Sequence, residues 1–136
     1  MNKRQLLRAT ALVASSLLLA GTASAQDFPP KKPVTLVVPF PPGGSTDQVA
    51  RALSTRLSER WKQSVVVDNR AGATGTIGAT FVKRAAPDGY TFLVSSLGPL
   101  AITPHLLKGM QYDPLKDFDL ITVAVQSPNV LVVPAN

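Results

Sequence analysis

From Phe40 to Asp47 the chain reads Phe40-Pro41-Pro42-Gly43-Gly44-Ser45-Thr46-Asp47, a set of residues suited to holding an anion with main-chain groups alone. Small residues let a ligand come close to the backbone. The N–H groups of a helix's first turn lack intrahelical acceptors, and the helix dipole favours negative charge in front of them. Two further turns have the same character: Arg70 to Gly75 and Ser95 to Pro99. A charge-assisted hydrogen bond contributes about 1.5–3 kcal/mol, so three or four hold a small anion without an arginine. Gly43-Gly44 also suits a tight turn that only starts a helix, and both readings stand at this level. Asp47 fits the helix N-terminus better than contact with an anion, which it repels, although it would suit the amino group of a zwitterion.

Other chemistries are less well supplied. Gly72, Gly75 and Gly78 are spaced G-x-x-G-x-x-G rather than as the dinucleotide fingerprint G-x-G-x-x-G, and no P-loop Gly-Lys-Ser/Thr follows the first strand. Arg70 has two readings, a carboxylate clamp and a structural arginine closing its turn onto Asp68; the second is favoured. Ser45 or Ser96 with His105 and an aspartate could be assembled into a hydrolase triad, but neither serine sits in a G-x-S-x-G elbow. No catalytic residue is assigned. With no cysteine and a single histidine, disulfides, thiolate sites and multi-histidine metal sites are excluded, and no cofactor is expected. Trp61 and Phe81 fall at helical spacing with other apolar residues and are read as core.

The elements that must position these turns follow from periodicity. Val34 to Phe40 is a continuous, mostly β-branched run, as in a strand buried on both faces of a parallel sheet. Val49, Leu53, Leu57 and Trp61 recur every four residues and predict a helix over 45–61, with Ser45 and Gln48 as an S-x-x-Q capping box. Val65 to Asp68 predicts a second strand, Asn69 to Gly75 a turn, and a helix runs on to about Ala86. Pro87-Asp88-Gly89 breaks it, and Tyr90 to Ser95 predicts a third strand. Two consecutive βαβ units with right-handed crossovers give strand order 2-1-3 and a crevice beyond the C-terminal ends of strands 1 and 3. Pro99 to Lys108 predicts a short helix and Tyr112-Asp113-Pro114 a turn. Leu120 to Val125 and Val130 to Val133 predict two more strands, with Pro128-Asn129 between them as a turn in preference to a hinge.

The chain has 136 residues and a formal charge of +6. Lys3, Arg4 and Arg8, the apolar stretch Ala9 to Ala20 and Ala23-Ser24-Ala25 form the three parts of a secretory signal peptide, with cleavage expected after Ala25. No cysteine follows to carry a lipid. The remaining 111 residues carry 11 basic against 8 acidic side chains, enough chain for one small domain. With no long basic run and few aromatics, nucleic acid is not an expected partner.

Five linked motifs in order resemble the Bug family, the periplasmic receptors of tripartite tricarboxylate transporters. They are Val38 to Asp47, Val67 to Gly75, Ala86 to Thr91, Tyr112 to Phe118 and Pro128 to Val133. The resemblance implies an α/β fold of the type II periplasmic-binding-protein kind, two lobes closing on a small carboxylate: a di- or tricarboxylate, an acidic amino acid or an aromatic acid. It implies capture mainly by backbone amides and waters, no catalysis, and docking of the loaded receptor on a membrane permease. Carried onto this chain, the ligand-binding residues are Phe40, Pro42, Gly43, Gly44, Ser45, Asp47, Ala71, Gly72, Ala73, Gly75 and Ser96. Members of the family are more than twice as long. Residues 26–136 are therefore expected to form the first lobe, incomplete and ending at the crossover to a second lobe that is absent. A lone lobe is expected to bind carboxylates weakly or not at all. The alternatives are a remnant without function or an interaction-only exported domain, and less readily a small exported hydrolase.

Overall fold

A computed structural model describes residues 31–127 and 131–133. Its centre is the apolar run itself: β1 (Val34–Val38) lies between β2 (Val65–Asn69) and β3 (Thr91–Leu93) in a three-stranded sheet of order β2-β1-β3. Both pairings are parallel, with Val34 opposite Val65 and Thr35 opposite Thr91. This is the order expected of two right-handed crossovers.

A strand covered on both faces has no place for alternating polarity, and β1 shows none. Val34 and Leu36 of one face are buried with Val65, and Leu53, Leu57 and Trp61 of α1 (Ser45–Trp61) pack against them. Val37, of the opposite parity, is fully buried as well. Ser54 and Ser58, one turn apart on α1, clasp the start of β2: Ser54 Oγ donates to the Val65 carbonyl (2.6 Å) and the Val65 N–H donates to Ser58 Oγ (3.0 Å). The second helix, α2 (Thr76–Arg84), packs on β1 and β3. It comes close because residue 78 has no side chain: a Cβ on Gly78 would lie 2.9 Å from Pro39 Cα and 3.0 Å from the Arg70 carbonyl oxygen. After β3 a π-helical turn at Gly98–Ile102 leads into the single turn α3 (Thr103–Leu106). Tyr112 is buried, and its hydroxyl donates to the Pro99 carbonyl at 2.7 Å. Lys83 ties the same segment to α2 through Asp117 and the Gln111 carbonyl. Among the described residues no helix is long and apolar enough to cross a membrane.

The β1–α1 connection is fixed by Asp47, 2% exposed. Its Oδ2 accepts the Gly43 N–H and Arg51 Nε, both at 2.8 Å, and its Oδ1 accepts Asn69 Nδ2 at 2.9 Å. The same Asn69 amide reaches the Phe40 carbonyl. One carboxylate therefore joins the loop, the helix and the end of β2. Arg51 first, then the Gly43 N–H and Asn69, hold the carboxyl far below the usual carboxylate range. Arg51 is more than half exposed, so salt screens its share; the other two bonds are less open to screening.

Several expectations need correction. The capping box does not form: Gly44, extended at φ −75° and ψ 170°, is the N-cap, and no side chain caps that end. Ser45 is already inside the helix, while Asp47 reaches back to Gly43 and Gln48 Nε2 donates to the Gly43 carbonyl. Leu120 to Val125 forms no strand, nor do residues 131–133. β-branched residues become a strand only against a neighbouring strand and a packed face, and Leu120, Ile121, Val123 and Val125 stay mostly exposed. Phe81 is not core: it lies at the surface under the Arg70 guanidinium, 3.5 Å from its ring centre. The signal peptide, Pro128-Asn129 and Val130 lie outside the described residues.

Two outcomes follow. Gly78→Ala gains about 1 kcal/mol of helix propensity, but the methyl meets backbone that cannot yield, and overpacking costs about 1–3 kcal/mol; urea unfolding should show a net loss of about 1–2 kcal/mol. For Asp47, a depressed folded-state value means stabilisation that is complete above the unfolded-chain value near pH 4 and fades as pH falls below it. Asp47→Asn should lower the melting temperature by roughly 5 °C or more near neutrality, and the gap from the parent should narrow below about pH 4. An equal gap at pH 3 and pH 7 contradicts the charge-based account.

Candidate functional site

The three small-residue turns meet at the C-terminal end of the sheet. A Cβ on Gly75 would lie 2.5 Å from Pro99 and 3.4 Å from Pro39, so the second turn is wedged between the first and the third. Gly75 bonds back to the Gly72 carbonyl at 2.9 Å. Between them Ala73 and Thr74 take φ of 45° and 53°, left-handed values that cost a residue with a Cβ roughly 1–2 kcal/mol each. The turn is held in that shape by Thr76 Oγ1 donating to the Ala73 carbonyl.

Beyond the ends of β1 and β3 opens a cleft of about 420 Å³, lined by Phe40, Pro41, Pro42, Gly44, Ser45, Thr46 and Ser96. One side is the first turn of α1. Gln48 makes the first intrahelical bond, to the Gly44 carbonyl, so Ser45, Thr46 and Asp47 have no intrahelical acceptor for their N–H groups. Gly43, at φ 89°, holds a conformation favourable to glycine, and its own N–H is taken by Asp47. The other side is Ser96, just past β3. The preceding Ser95 hydroxyl is buried and has no hydrogen-bond partner among the described residues.

Among the described residues no charged side chain lines the cleft. Asp47 is turned inward onto its three donors. Arg51 bonds Asp47 and, at 3.4 Å, Asn69. Arg70 donates to Asp68 at 2.7 Å and stacks on Phe81, the structural reading of that arginine. Among the described residues, the favourable electrostatics inside come from main-chain dipoles and two hydroxyl-bearing residues of the helix end, with Ser96 opposite. His105 is exposed at the end of α3 and makes no hydrogen bond to Ser45 or Ser96. Among the described residues no cluster of side chains could hold a metal ion.

Of the residues picked from sequence, the structure brings Phe40, Pro42, Gly44, Ser45 and Ser96 to the cleft wall. Gly43 and Asp47 stand behind it and shape it. Ala71, Gly72, Ala73 and Gly75 are not among its lining residues; Gly75 is buried between prolines and the other three are exposed on the neighbouring turn. Pro41 and Thr46 line the cleft and were not singled out. Thr46 was findable, because the second helical residue presents its N–H beside the first. Arg51 was findable too, four residues after Asp47 on one helix face. The contribution of Asn69 was not, since nothing local links it to residue 47.

Residues 49–136 match the family described as tripartite tricarboxylate transporter family receptor. The chain is 43% identical over 129 residues to the UPF0065 protein in the tcbD-tcbE intergenic region of Pseudomonas sp. (strain P51), covering 91% of this chain and 38% of that protein. It is 41% identical over 133 residues to Protein BugT of Bordetella pertussis, covering 97% of this chain and 40% of that one. The chain thus spans about 40% of the length of these relatives. Among solved structures it resembles MatC from Rhodopseudomonas palustris with bound malate, at 43% identity and a TM-score of 0.63, covering 65% of this chain and 30% of that chain. It also resembles an R. palustris protein with adipate, at 46% identity and a TM-score of 0.62, covering 65% and 29%. With the parallel 2-1-3 sheet and its helices, these likenesses give the fold as one lobe of a periplasmic binding protein. The chain belongs to the tripartite tricarboxylate transporter receptor family.

Proposed function

We propose that this polypeptide supplies the first-lobe face of an exported solute receptor, which captures a small carboxylate in the periplasm and presents it to the permease of a tripartite tricarboxylate-type transporter. The observation that carries the reading is the cleft at the start of α1, whose lining includes Gly44, Ser45 and Thr46 and, among the described residues, no charged side chain; first-turn N–H groups there lack an intrahelical acceptor. A carboxylate is the anion such a cradle suits, because two oxygens accept from neighbouring amides while the helix end offsets their charge. Family membership supports a transport role without catalysis, and the malate and adipate carried by two similar proteins support the ligand class. Export through a signal peptide cleaved after Ala25 is part of the same proposal.

The binding residues proposed are Ser45, Thr46, Gly44 and Ser96, with Phe40 and Pro42 as walls. Gly43 and Asp47 hold the loop, and Ala71, Gly72, Ala73 and Gly75 form the adjoining turn. Taken by itself, this lobe leaves one side of a ligand open to water, so the affinity of the chain alone rests on about three hydrogen bonds. A dissociation constant near millimolar, about 4 kcal/mol, is the expected scale.

The test is amide NMR of the chain titrated with adipate, against sodium chloride at matched ionic strength. Adipate should move the Ser45, Thr46 and Ser96 signals with a dissociation constant of about 1 mM or weaker, and chloride should not. Ser45→Pro is a selective probe. Proline is favoured at the first helical position, and Gly44 already has the extended backbone that a following proline requires. The variant should fold as the parent does and lose about tenfold in affinity, having lost one donor. Silent Ser45 and Thr46 signals at saturating adipate overturn the reading.

A further inference from the structure

Resting on the reading above, we infer that the site selects carboxylates with an apolar body, alkyl or aryl acids read by one carboxylate, and that Phe40 is the residue that sets this preference. The wall beside the amide cradle consists of Phe40, Pro41 and Pro42. Proline has no N–H, so two of these three residues have no main-chain donor, and Phe40 has no polar side-chain atom. The Phe40 carbonyl already accepts from Asn69 at 3.2 Å, which fixes the backbone that carries the ring. Polar capacity is therefore concentrated at the helix end and at Ser96, and the space next to it is apolar.

The charge inventory points the same way. The nearby arginines are committed elsewhere, Arg51 to Asp47 and Asn69, Arg70 to Asp68 and Phe81. A helix end is equivalent to about half a positive charge. That suits one carboxylate. A second or third carboxylate on a short skeleton would lie against Phe40 and the prolines, where a charge loses hydration and finds no donor. Methylenes or an aromatic ring placed there exchange water for apolar surface instead, a gain that grows with the area covered. A distal carboxylate on a long chain reaches past the wall into water and is neither read nor rejected.

The experiment uses acetate, hexanoate, adipate and citrate as probes on the full chain, with dissociation constants taken from the Thr46 amide signal. Hexanoate should bind about tenfold more tightly than acetate. Adipate should fall within about threefold of hexanoate, and citrate should be at least tenfold weaker than hexanoate. Phe40→Ala should shrink the preference for hexanoate over acetate from about tenfold to within about threefold, and Phe40→Leu should keep most of it. The hexanoate-to-acetate ratio within one variant separates loss of the wall from loss of the cradle, because damage to the cradle weakens both acids alike. Citrate binding as tightly as hexanoate, or hexanoate no tighter than acetate, overturns the inference while the carboxylate reading survives; silence from all four probes overturns both. These comparisons are made in the parent chain and stand even where a Phe40 variant fails to fold.

Discussion

A buried carboxylate has to be satisfied from every side, and Asp47 is where that requirement shapes this lobe. Its two oxygens are shared among a loop N–H, a guanidinium and a side-chain amide from another strand. Removing one partner from such an arrangement leaves an uncompensated polar group, which costs far more than the bond was worth. The loop between β1 and α1 consequently has one low-energy path: Gly43 must turn its N–H inward, Gly44 must be extended, and the helix must begin at Ser45. The proposed anion cradle is the outer surface of that path. Asp47 contributes to it by facing away, which also keeps a negative charge off the cleft wall.

A second constraint is steric. Pro39, Gly75, Gly78 and Pro99 come together where the first, second and third turns meet, at separations that admit no methyl group on either glycine. Prolines are stiff in φ and glycines add no bulk, so the contact locks main chain against main chain. The strained Ala73-Thr74 pair sits directly beside this contact. Such conformations persist only where surrounding structure over-determines them, and here the wedge between Pro39 and Pro99 does so. The rigidity of the turns comes from this packing, in a chain without cysteine and, among the described residues, without a side-chain cluster that could hold a metal ion.

Much of this was legible in the sequence because it is local. The β-branched run 34–38, the four-residue spacing through Trp61 and the Pro87-Asp88-Gly89 break give the elements, and the two βαβ units give the order 2-1-3 seen in the sheet. The cleft between the ends of strands 1 and 3 follows from that order. What failed was set by context. Ser45 and Gln48 have the letters of a capping box, but the helix starts one residue earlier, with Gly44 as N-cap, so Ser45 is already helical and the Gln48 N–H bonds the Gly44 carbonyl. Leu120 to Val125 has the letters of a strand, yet a strand is a relation between two segments, and no described strand lies beside it. Phe81 has helical spacing, but spacing says which residues share a face and not what covers that face. The left-handed Ala73-Thr74 pair left no trace in residue type at all, since neither alanine nor threonine favours it.

Recognition through main-chain groups has a consequence for how such a lobe can vary. An amide N–H is present whatever side chain its residue carries, proline excepted, so the proposed carboxylate capture tolerates exchange of Ser45 or Thr46 for other residues as long as the backbone path is kept. The path itself depends on residues that touch no ligand: Asp47, Asn69, Gly75 and Gly78. Selectivity then has to reside in the few side chains that do line the cleft, and Phe40 is the largest of them. Affinity for the common group and preference for the rest of the molecule are thereby carried by different atoms. In the proposed reading the first is set by the fold and the second by the wall residue Phe40.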